Sequence, residues 1–220
     1  QRAKVLKFIP ESDVAIIDPQ FVQSLPKTIV ADTGMDVLTH AAEAYVAKGA
    51  NHVTDALAEK AFTLAWRNLP MAHKGDRKAK AEMLQASCLA GLAFNAAGLG
   101  VCHSMAHALG GQFHVPHGRL NALLLPHVID FNAAEAPAGE KYAHLAKLCG
   151  LAGNPRSLAA ALGRLRTQLK LPIQPAFTGA QLKAAQPGLT AATLADVCLG
   201  GNPRAVSAAD VERMLKELVR

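Results

Sequence analysis

The sequence predicts a mainly α-helical, bundle-like domain that follows a short strand-forming segment. Alanine and leucine dominate a composition that is 50% hydrophobic and only 5% aromatic, and this mixture favours close-packed helices over strands. From about Thr28 onward, apolar residues recur at helical spacing between helix start and stop signals. We therefore predict an opening segment over residues 1–30 and an all-helical domain over residues 31–220, which is large enough to bury its own core.

The opening segment contains two short apolar runs, Val5–Ile9 and Val14–Ile17, separated by proline. This pattern predicts one or two strands followed by a turn. A lone pair of strands is not stable in water, so these strands need a sheet or a helical surface to pack against.

Helix start and stop residues predict five helices before residue 133 and four or five more after it. In the second part, loops are predicted at the stretches "GNPRS", "LPIQPAF", "QPG" and "GGNPRA". In the first part, the first helix is predicted to start at Asp32 or Thr33 and to end at Gly49. Pro70 is predicted to follow the second helix and Gly98 the third, and Gly110 and Gly111 are predicted to end the fourth. Pro116 is predicted in the first turn of the fifth helix.

Charge, cysteines and hydropathy exclude several classes of protein. The net charge is +6, but the basic residues are scattered among acidic and apolar ones, and one Trp and two Tyr offer little stacking surface, so no nucleic-acid partner is expected. There is no signal peptide and no run of eighteen apolar residues, so neither secretion nor membrane association is predicted. The four cysteines form no CxxC pair, which argues against a thiolate zinc site and favours free thiols in the cytoplasm.

Four of the nine histidines lie within the stretch "VCHSMAHALGGQFHVPHG". His103 and His107 are four residues apart in a helix whose other residues are small or apolar, and buried imidazoles need partners. His117 follows a predicted helix–loop–helix turn and can therefore return towards His103. The spacing predicts a cluster of imidazoles at this turn.

Asp36 and His40 are also four residues apart, so both side chains leave one face of the first helix. By itself this pair is better explained by a capping carboxylate near a helix start and a half-buried histidine than by a metal site. Combined with the histidine cluster, it gives two helix pairs carrying Asp and three or more His, a set that suits a divalent transition metal. A set of nitrogen and oxygen ligands does not distinguish among Fe²⁺, Zn²⁺, Ni²⁺ and Mn²⁺.

The remaining histidines are not expected to bind metal. His52 and His73 are predicted in polar loops, His144 on a helix surface, and His127 in an apolar helix as a core histidine. No GxSxG nucleophile motif and no Gly-rich phosphate loop with the required spacing occurs in the sequence.

The segments "TGMDVLTHAAEAYV", "AGLAFNAAGLGVCHSMAHALGGQFHVPHG", "NALLLPHVIDFN" and "DVCLGGNPR" together resemble the iron-containing (group III) alcohol dehydrogenases. The similarity extends over most of the chain and is strongest from Asp13 to Asn132. It implies the C-terminal, helical half of a dehydroquinate-synthase-like fold. The opening strands then resemble the end of the family's N-terminal α/β cofactor domain.

The resemblance assigns roles to individual residues. It implies four ligands of a divalent metal, usually Fe²⁺, although Zn²⁺ or another ion is possible. It places His107 beside the substrate as a proton-handling catalytic residue, Phe94 in the substrate pocket, and His114 outside the site. The implied ligands are Asp36, His40, His103 and His117.

The implied reaction is hydride transfer between a primary alcohol or aldehyde and NAD(P), with the alcohol oxygen held by the metal. The family's Gly-rich pyrophosphate turn and its "TGTGSE"-like segment do not occur in this sequence, so NAD(P) is expected to bind mainly to an absent N-terminal domain. We therefore expect a truncated enzyme that alone binds metal weakly or not at all and does not oxidise alcohols. A homodimer or higher oligomer is expected.

Two other functions remain possible from the residues. A metal-dependent hydrolase or lyase could use the same ligands, but it would usually place a Glu as in HExxH, and none of the clustered histidines has one so placed. A non-catalytic helical interaction module would keep the motif for packing alone.

Overall fold

The computed structural model describes residues 15–172 and 176–219, and these residues are mainly helical, as predicted. Within them there are two 3₁₀ helices, Pro19–Val22 and Val197–Gly201, and no strand. The α-helices of the described residues are α1 (Lys27–Val46), α2 (His52–Lys74), α3 (Arg77–Ala97), α4 (Val101–Phe113), α5 (His117–Asn132), α6 (Ala136–Leu148), α7 (Pro155–Gln168), α8 (Gly179–Leu194) and α9 (Ala208–Glu217).

Helix α1 lies at the centre of the bundle and packs against α2, α3, α5 and α6. It is buried on most of its circumference, as expected for a helix that is apolar on nearly all faces. Polar side chains on such a helix must find partners inside the protein. This requirement brings the few polar residues of α1 into contact with α4 and α5.

Helices α1 and α5 approach each other closely at Gly118. A Cβ atom at this position would collide with the carbonyl oxygen of Asp32 and lie 3.2 Å from the Cβ of Asp36. Only glycine, which has no side chain, allows this approach. The close approach of the two helices places His117, the first residue of α5, beside Asp36.

Several predicted helix ends are wrong. Helix α1 begins at Lys27, five residues before Asp32, because Pro26 takes the N-cap position with an extended backbone. It also ends at Val46, before Gly49. Helix α2 continues through Pro70, whose missing N–H removes only one bond near the helix end, and stops at Gly75, which has a φ of 106°.

Helices α4 and α8 also continue through predicted breaks. Helix α4 passes Gly110 and Gly111 and ends at Phe113. Its C-cap, His114, has a φ of 55° and donates its N–H to the Gly110 carbonyl at 2.9 Å. A glycine costs a helix only about 1 kcal/mol, and the stack of Phe113 on Phe177, with ring centroids 4.3 Å apart, fixes the last turn. The "QPG" break is wrong as well, since Pro187 lies inside α8.

The predicted opening strands fall mostly outside the described residues, since Val5–Ile9 and Val14 are not among them. Residues 15–18 have no regular structure, and the side chain of Ile16 is 87% exposed. The 3₁₀ helix Pro19–Val22 follows and leads into α1.

No single helix in the described part of the chain is both long and apolar enough to cross a membrane. One adjacent pair, α3 and α4, has the length and composition together, but its axes are bent by 105°.

Candidate metal centre

Helices α1, α4 and α5 bring predicted site residues together: one ligand atom each of Asp36, His103 and His117 lies within 4.8 Å of the others, and His40 lies beside this group. Asp36 and His40 project from one face of α1, His103 from the buried first turn of α4, and His117 from the start of α5. Asp36 Oδ1 lies 3.6 Å from His103 Nε2 and 3.5 Å from His117 Nε2. His40 Nδ1 lies 3.9 Å from the other oxygen of Asp36.

These separations fit a shared cation. Two ligand atoms bound about 2.1 Å from one ion in tetrahedral geometry are about 3.4 Å apart, close to the distances from Asp36 to His103 and His117. The amide nitrogen of Asn121 points into the same space and lies 2.6 Å from Asp36 Oδ1, 3.0 Å from His117 Nε2 and 3.3 Å from His103 Nε2. An amide NH₂ has two hydrogens, enough for Asp36 and His117, and these acceptors mark the space where a cation would bind.

Aromatic stacking fixes the ring of His40. Its centroid lies 4.6 Å from that of Phe94 on one side and 4.4 Å from that of His103 on the other. Phe94, predicted in the substrate pocket, is therefore half-buried against a candidate ligand.

Glu43 orients His103 and was not identified from the sequence. Its carboxylate is 1% exposed and lies 2.6 Å from His103 Nδ1. It also accepts hydrogen bonds from the backbone N–H groups of Cys102 at 2.8 Å and His103 at 3.4 Å. Glu43 thereby holds the Nδ1 proton of His103, so Nε2 is the ring nitrogen that faces Asp36 and would serve as the ligand atom once a cation displaces its proton.

The sequence of α1 contains a pattern that indicates Glu43 as a neighbour of the site. It follows His40 by three residues and Asp36 by seven, so all three lie on one face of α1. It is also the single charged residue in the stretch "HAAEAYVA". A charge in an apolar core helix indicates a buried partner.

Burial and charge act against each other in this cluster. Burial lowers the pKa of His40 to about 4, although Asp36 opposes the change, and burial likewise lowers the pKa of His117. Burial also lowers the pKa of His103, but hydrogen bonds and charges from Asp36 and Glu43 outweigh it and raise the value to about 9. The neutral rings of His40 and His117 have lone pairs available for a cation.

His107 lies one turn after His103 on α4 and is paired with a residue from the C-terminal part of the chain. Its Nδ1 is 2.9 Å from Asp196 Oδ2, and its ring stacks on that of His117 with centroids 5.1 Å apart. Asp196 also accepts a hydrogen bond from Ser104 Oγ at 3.3 Å. Sequence reasoning did not identify Asp196, because 89 residues separate it from His107.

A cavity of about 320 Å³ opens beside Asp36 and His40. Most of its lining side chains are apolar. Nearby, the ammonium group of Lys80 donates to the carbonyl oxygens of Gln23 and Leu25 at 2.7 and 3.1 Å, which ties the segment before α1 to α3. The apolar lining residues include Val22, Leu25, Val37, Met83 and Leu84.

The other histidines lie away from the cluster. The prediction that His52 and His73 lie in loops is wrong, since they occupy the first and last turns of α2. His144 is exposed on α6, 3.4 Å from Glu59. His127 is half-buried in α5, and His114 is exposed at the end of α4.

Residues 30–219 match the family model described as Fe-containing alcohol dehydrogenase family, C-terminal. The chain is 48% identical over 219 residues to the 1-propanol dehydrogenase PduQ of Citrobacter freundii, covering 94% of this chain and 59% of that protein. It is 38% identical over 212 residues to the NADPH-dependent butanol dehydrogenase of Clostridium saccharobutylicum, covering 93% of this chain and 54% of that protein. The solved iron-containing alcohol dehydrogenase from Thermococcus thioreducens superposes with a TM-score of 0.89 at 32% identity, covering 94% of this chain and 55% of that one.

The chain therefore belongs to the Fe-containing alcohol dehydrogenase family, and the resemblance noted in the sequence is confirmed. It spans 59% and 54% of the length of the two curated relatives. Because the matching family model is the C-terminal one and the described residues are helical, the chain corresponds to the C-terminal part of those relatives.

Proposed function

We propose that this chain is the metal-binding catalytic part of an iron-type alcohol dehydrogenase, which transfers hydride between a primary alcohol or aldehyde and NAD(P). The observation that carries the proposal is the convergence of Asp36, His103 and His117, with His40 beside them, in a member of this family. In this proposal residues 31–220 form the metal-binding domain, and residues 1–30 belong to the cofactor domain and linker.

The proposed metal ligands are Asp36, His40, His103 and His117, with Fe²⁺ as the expected ion and Zn²⁺ or another divalent metal as an alternative. The bound ion would supply Lewis-acid chemistry, lowering the pKa of an alcohol hydroxyl held beside it. All four side chains belong to this chain and lie on packed helices. We therefore expect the chain to bind a divalent metal by itself, in contrast to the weak binding expected from the sequence.

His107 is the proposed proton-handling residue. Because Asp196 accepts the Nδ1 proton of His107, the Nε2 atom is left as an acceptor for the hydroxyl proton of the substrate. The exposed fraction of the His107 side chain is 45%, so this proton can pass on to solvent. Phe94 contributes an apolar wall that orients His40 and keeps water from one side of the site.

A hydrolase or lyase is disfavoured by the position of Glu43. A general base must reach a water beside the ion, but Glu43 binds Nδ1, on the side of the His103 ring opposite Nε2. Its carboxylate is also occupied by two backbone N–H groups. A packing module would not require Asp36, Asn121 and the imidazoles of His103 and His117 to converge on one point.

The proposed substrates are small primary alcohols and aldehydes, since the relatives are named for 1-propanol and butanol, and one of them uses NADPH. The described cysteines form no disulfide bond with one another, which supports a cytoplasmic location. From the resemblance to the family, we propose that the protein forms a homodimer or a higher oligomer.

The test joins this chain to the N-terminal part of the Citrobacter freundii relative and measures iron content together with NAD(P)-linked oxidation of 1-propanol. We expect the joined protein to be active and the chain alone to bind metal without turnover. Asp36→Asn and His103→Gln should lose metal and activity together. If either variant keeps its activity after losing the metal, or loses only stability, the proposal is wrong.

A further inference from the structure

A second cluster of potential metal ligands lies beside the first. His107 on α4 meets Asp196 and Cys198 at the 3₁₀ helix Val197–Gly201, and one ligand atom from each of the three lies within 4.8 Å of the others. The proposed dehydrogenase chemistry uses His107 and Asp196, but it gives no role to the Cys198 thiol.

Hydrogen bonds hold this cluster in place. Asp196 Oδ1 accepts from the backbone N–H of Cys198 at 2.9 Å and from Ser104 Oγ at 3.3 Å, so Oδ2 is directed to His107. The buried side chain of Asn202 then ties the end of the 3₁₀ helix to the start of α4, because its Oδ1 accepts from Val101 N–H at 3.1 Å. A ligand cluster anchored in this way needs little rearrangement to bind an ion.

The chemistry of the cluster differs from that of the first centre. It combines an imidazole, a carboxylate and a thiol, a set that zinc accepts in four-coordinate sites with one open position. The Asp36 centre offers only nitrogen and oxygen. A thiolate shifts preference towards softer ions, so the two sites should be separable by metal type. Its side chains can be reached from solvent, since His107 is 45% exposed and Asp196 17% exposed.

We propose that His107, Asp196 and Cys198 form a second, thiolate-containing site for Zn²⁺ or a similar divalent ion. On binding, the Cys198 thiol releases its proton to solvent and the resulting thiolate donates a lone pair to the ion. The His107 ring changes tautomer: its single proton moves from Nδ1 to Nε2, so that the Nδ1 lone pair binds the ion and Nε2 can no longer accept a proton.

Occupancy of the second site should therefore inhibit the enzyme. This consequence rests on the proposed function of His107, whereas the binding of the ion does not. Excess Zn²⁺ would block proton transfer while the first centre keeps its own metal.

Co²⁺ is the probe that separates the two sites. A thiolate bound to Co²⁺ gives a charge-transfer band in the near ultraviolet, and the Asp36 centre contains no thiolate that could produce it. We expect the purified chain to bind a second equivalent of Co²⁺ with this band, and Zn²⁺ to displace it. Cys198→Ser should lose both the band and the second equivalent, and His107→Ala should bind the second equivalent at least tenfold more weakly.

Two controls keep the test specific. Cys149→Ser alters another half-buried cysteine, outside the cluster, and should keep the band. Asp36→Asn should lose the visible Co²⁺ absorption of the first centre and retain the band, with helical content checked by circular dichroism.

A wild-type chain that binds Co²⁺ without the band, or a band that survives in Cys198→Ser, overturns the second site. If the band depends on Cys198 while Asp36→Asn leaves metal binding intact, the second site stands and the proposed first centre fails. In the joined enzyme, Cys198→Ser should lower the sensitivity to Zn²⁺ inhibition at least tenfold, and unchanged sensitivity would contradict the inhibitory role.

Discussion

At the scale of single residues, Glu43 shows how a charge is accommodated in the core. It is 1% exposed on a helix surrounded by other helices, a position that is costly for an unpaired carboxylate. Its oxygens are occupied by the Nδ1 of His103 and by two N–H groups of the first turn of α4. The N-terminal end of a helix favours negative charge, so Glu43 serves as a cap for α4 and as a support for His103.

The first prediction concerns this support. Glu43→Gln should weaken Co²⁺ binding at the first centre about 10- to 100-fold, because the neutral amide no longer holds the Nδ1 proton as strongly. A chelator competition measures the affinity. The comparison is Glu82→Gln on α3, which should bind as the wild type does. Equal affinities in the two variants would show that Glu43 does not position His103.

The second prediction concerns acid stability at His127. Burial, helped by the charge of Arg166, lowers the pKa of His127 below 6.5, and Glu217 and Asp130 only partly oppose this. The unfolded chain therefore takes up a proton before the folded protein does. The neutral His127 side chain therefore contributes fully to the free energy of unfolding above about pH 6.5. This contribution is lost as the pH falls from there through the pKa that His127 has in the folded protein.

Replacing the ring should remove this pH dependence. We expect the free energy of unfolding to fall less steeply between pH 7 and pH 5 in His127→Gln than in the wild type, as measured by urea unfolding of the metal-free chain. His52→Gln, at an exposed position, should retain the steeper fall. A His127→Gln curve parallel to that of the wild type would contradict the assignment.

At the scale of helices, the contact between α1 and α5 determines the geometry of the site. The pair meets at Gly118, where a side chain would collide with the backbone of α1 at Asp32. His117 precedes this glycine and Asn121 follows it by three residues, so one contact places two groups that face Asp36.

The third prediction tests this contact. Gly118→Ala should lower the free energy of unfolding by about 1–3 kcal/mol and weaken metal binding, because α5 must move away from α1. Gly163→Ala, inside α7 with open space around the added methyl group, should be neutral or stabilising by up to about 1 kcal/mol. Urea unfolding gives the first quantity and Co²⁺ titration the second. A Gly118→Ala protein as stable as Gly163→Ala would refute the close packing.

At the scale of the whole molecule, the candidate centre links parts of the chain that are distant in sequence. Asp36 and Asn121 are 85 residues apart, and His107 and Asp196 are 89 apart. The site therefore exists only when α1, α4, α5 and the C-terminal 3₁₀ helix are packed together. Metal binding and folding should be thermodynamically linked.

The fourth prediction follows from this linkage. In the Cys198→Ser background, Co²⁺ at a hundredfold excess over its Kd should raise the free energy of unfolding by about 2.7 kcal/mol. Thermal unfolding with and without EDTA measures the change. The added substitution Asp36→Asn should abolish the increase. An increase that persists in that double variant would indicate that the ion binds elsewhere.

The sequence alone determined the helical class, the spacing of Asp36 with His40 and of His103 with His107, and the family. These features depend on local periodicity and on motifs that can be read along the chain. Helix ends were less predictable, because packing overrode the local signals at Pro70, Gly110 and Gly111.

Only the tertiary structure decided which other residues join the site. Glu43, Asn121, Asp196 and Cys198 acquire their roles through contacts with helices distant in sequence. The spacing of Glu43 places it on the Asp36 face of α1, but no local pattern identifies the partner that it contacts. The charges that set the pKa of His103 also come from Asp36 and Glu43 on another helix. The spacing of the proposed ligands can thus be read locally, but the orientation of the candidate site, its electrostatics and the second cluster of donors arise from helix packing.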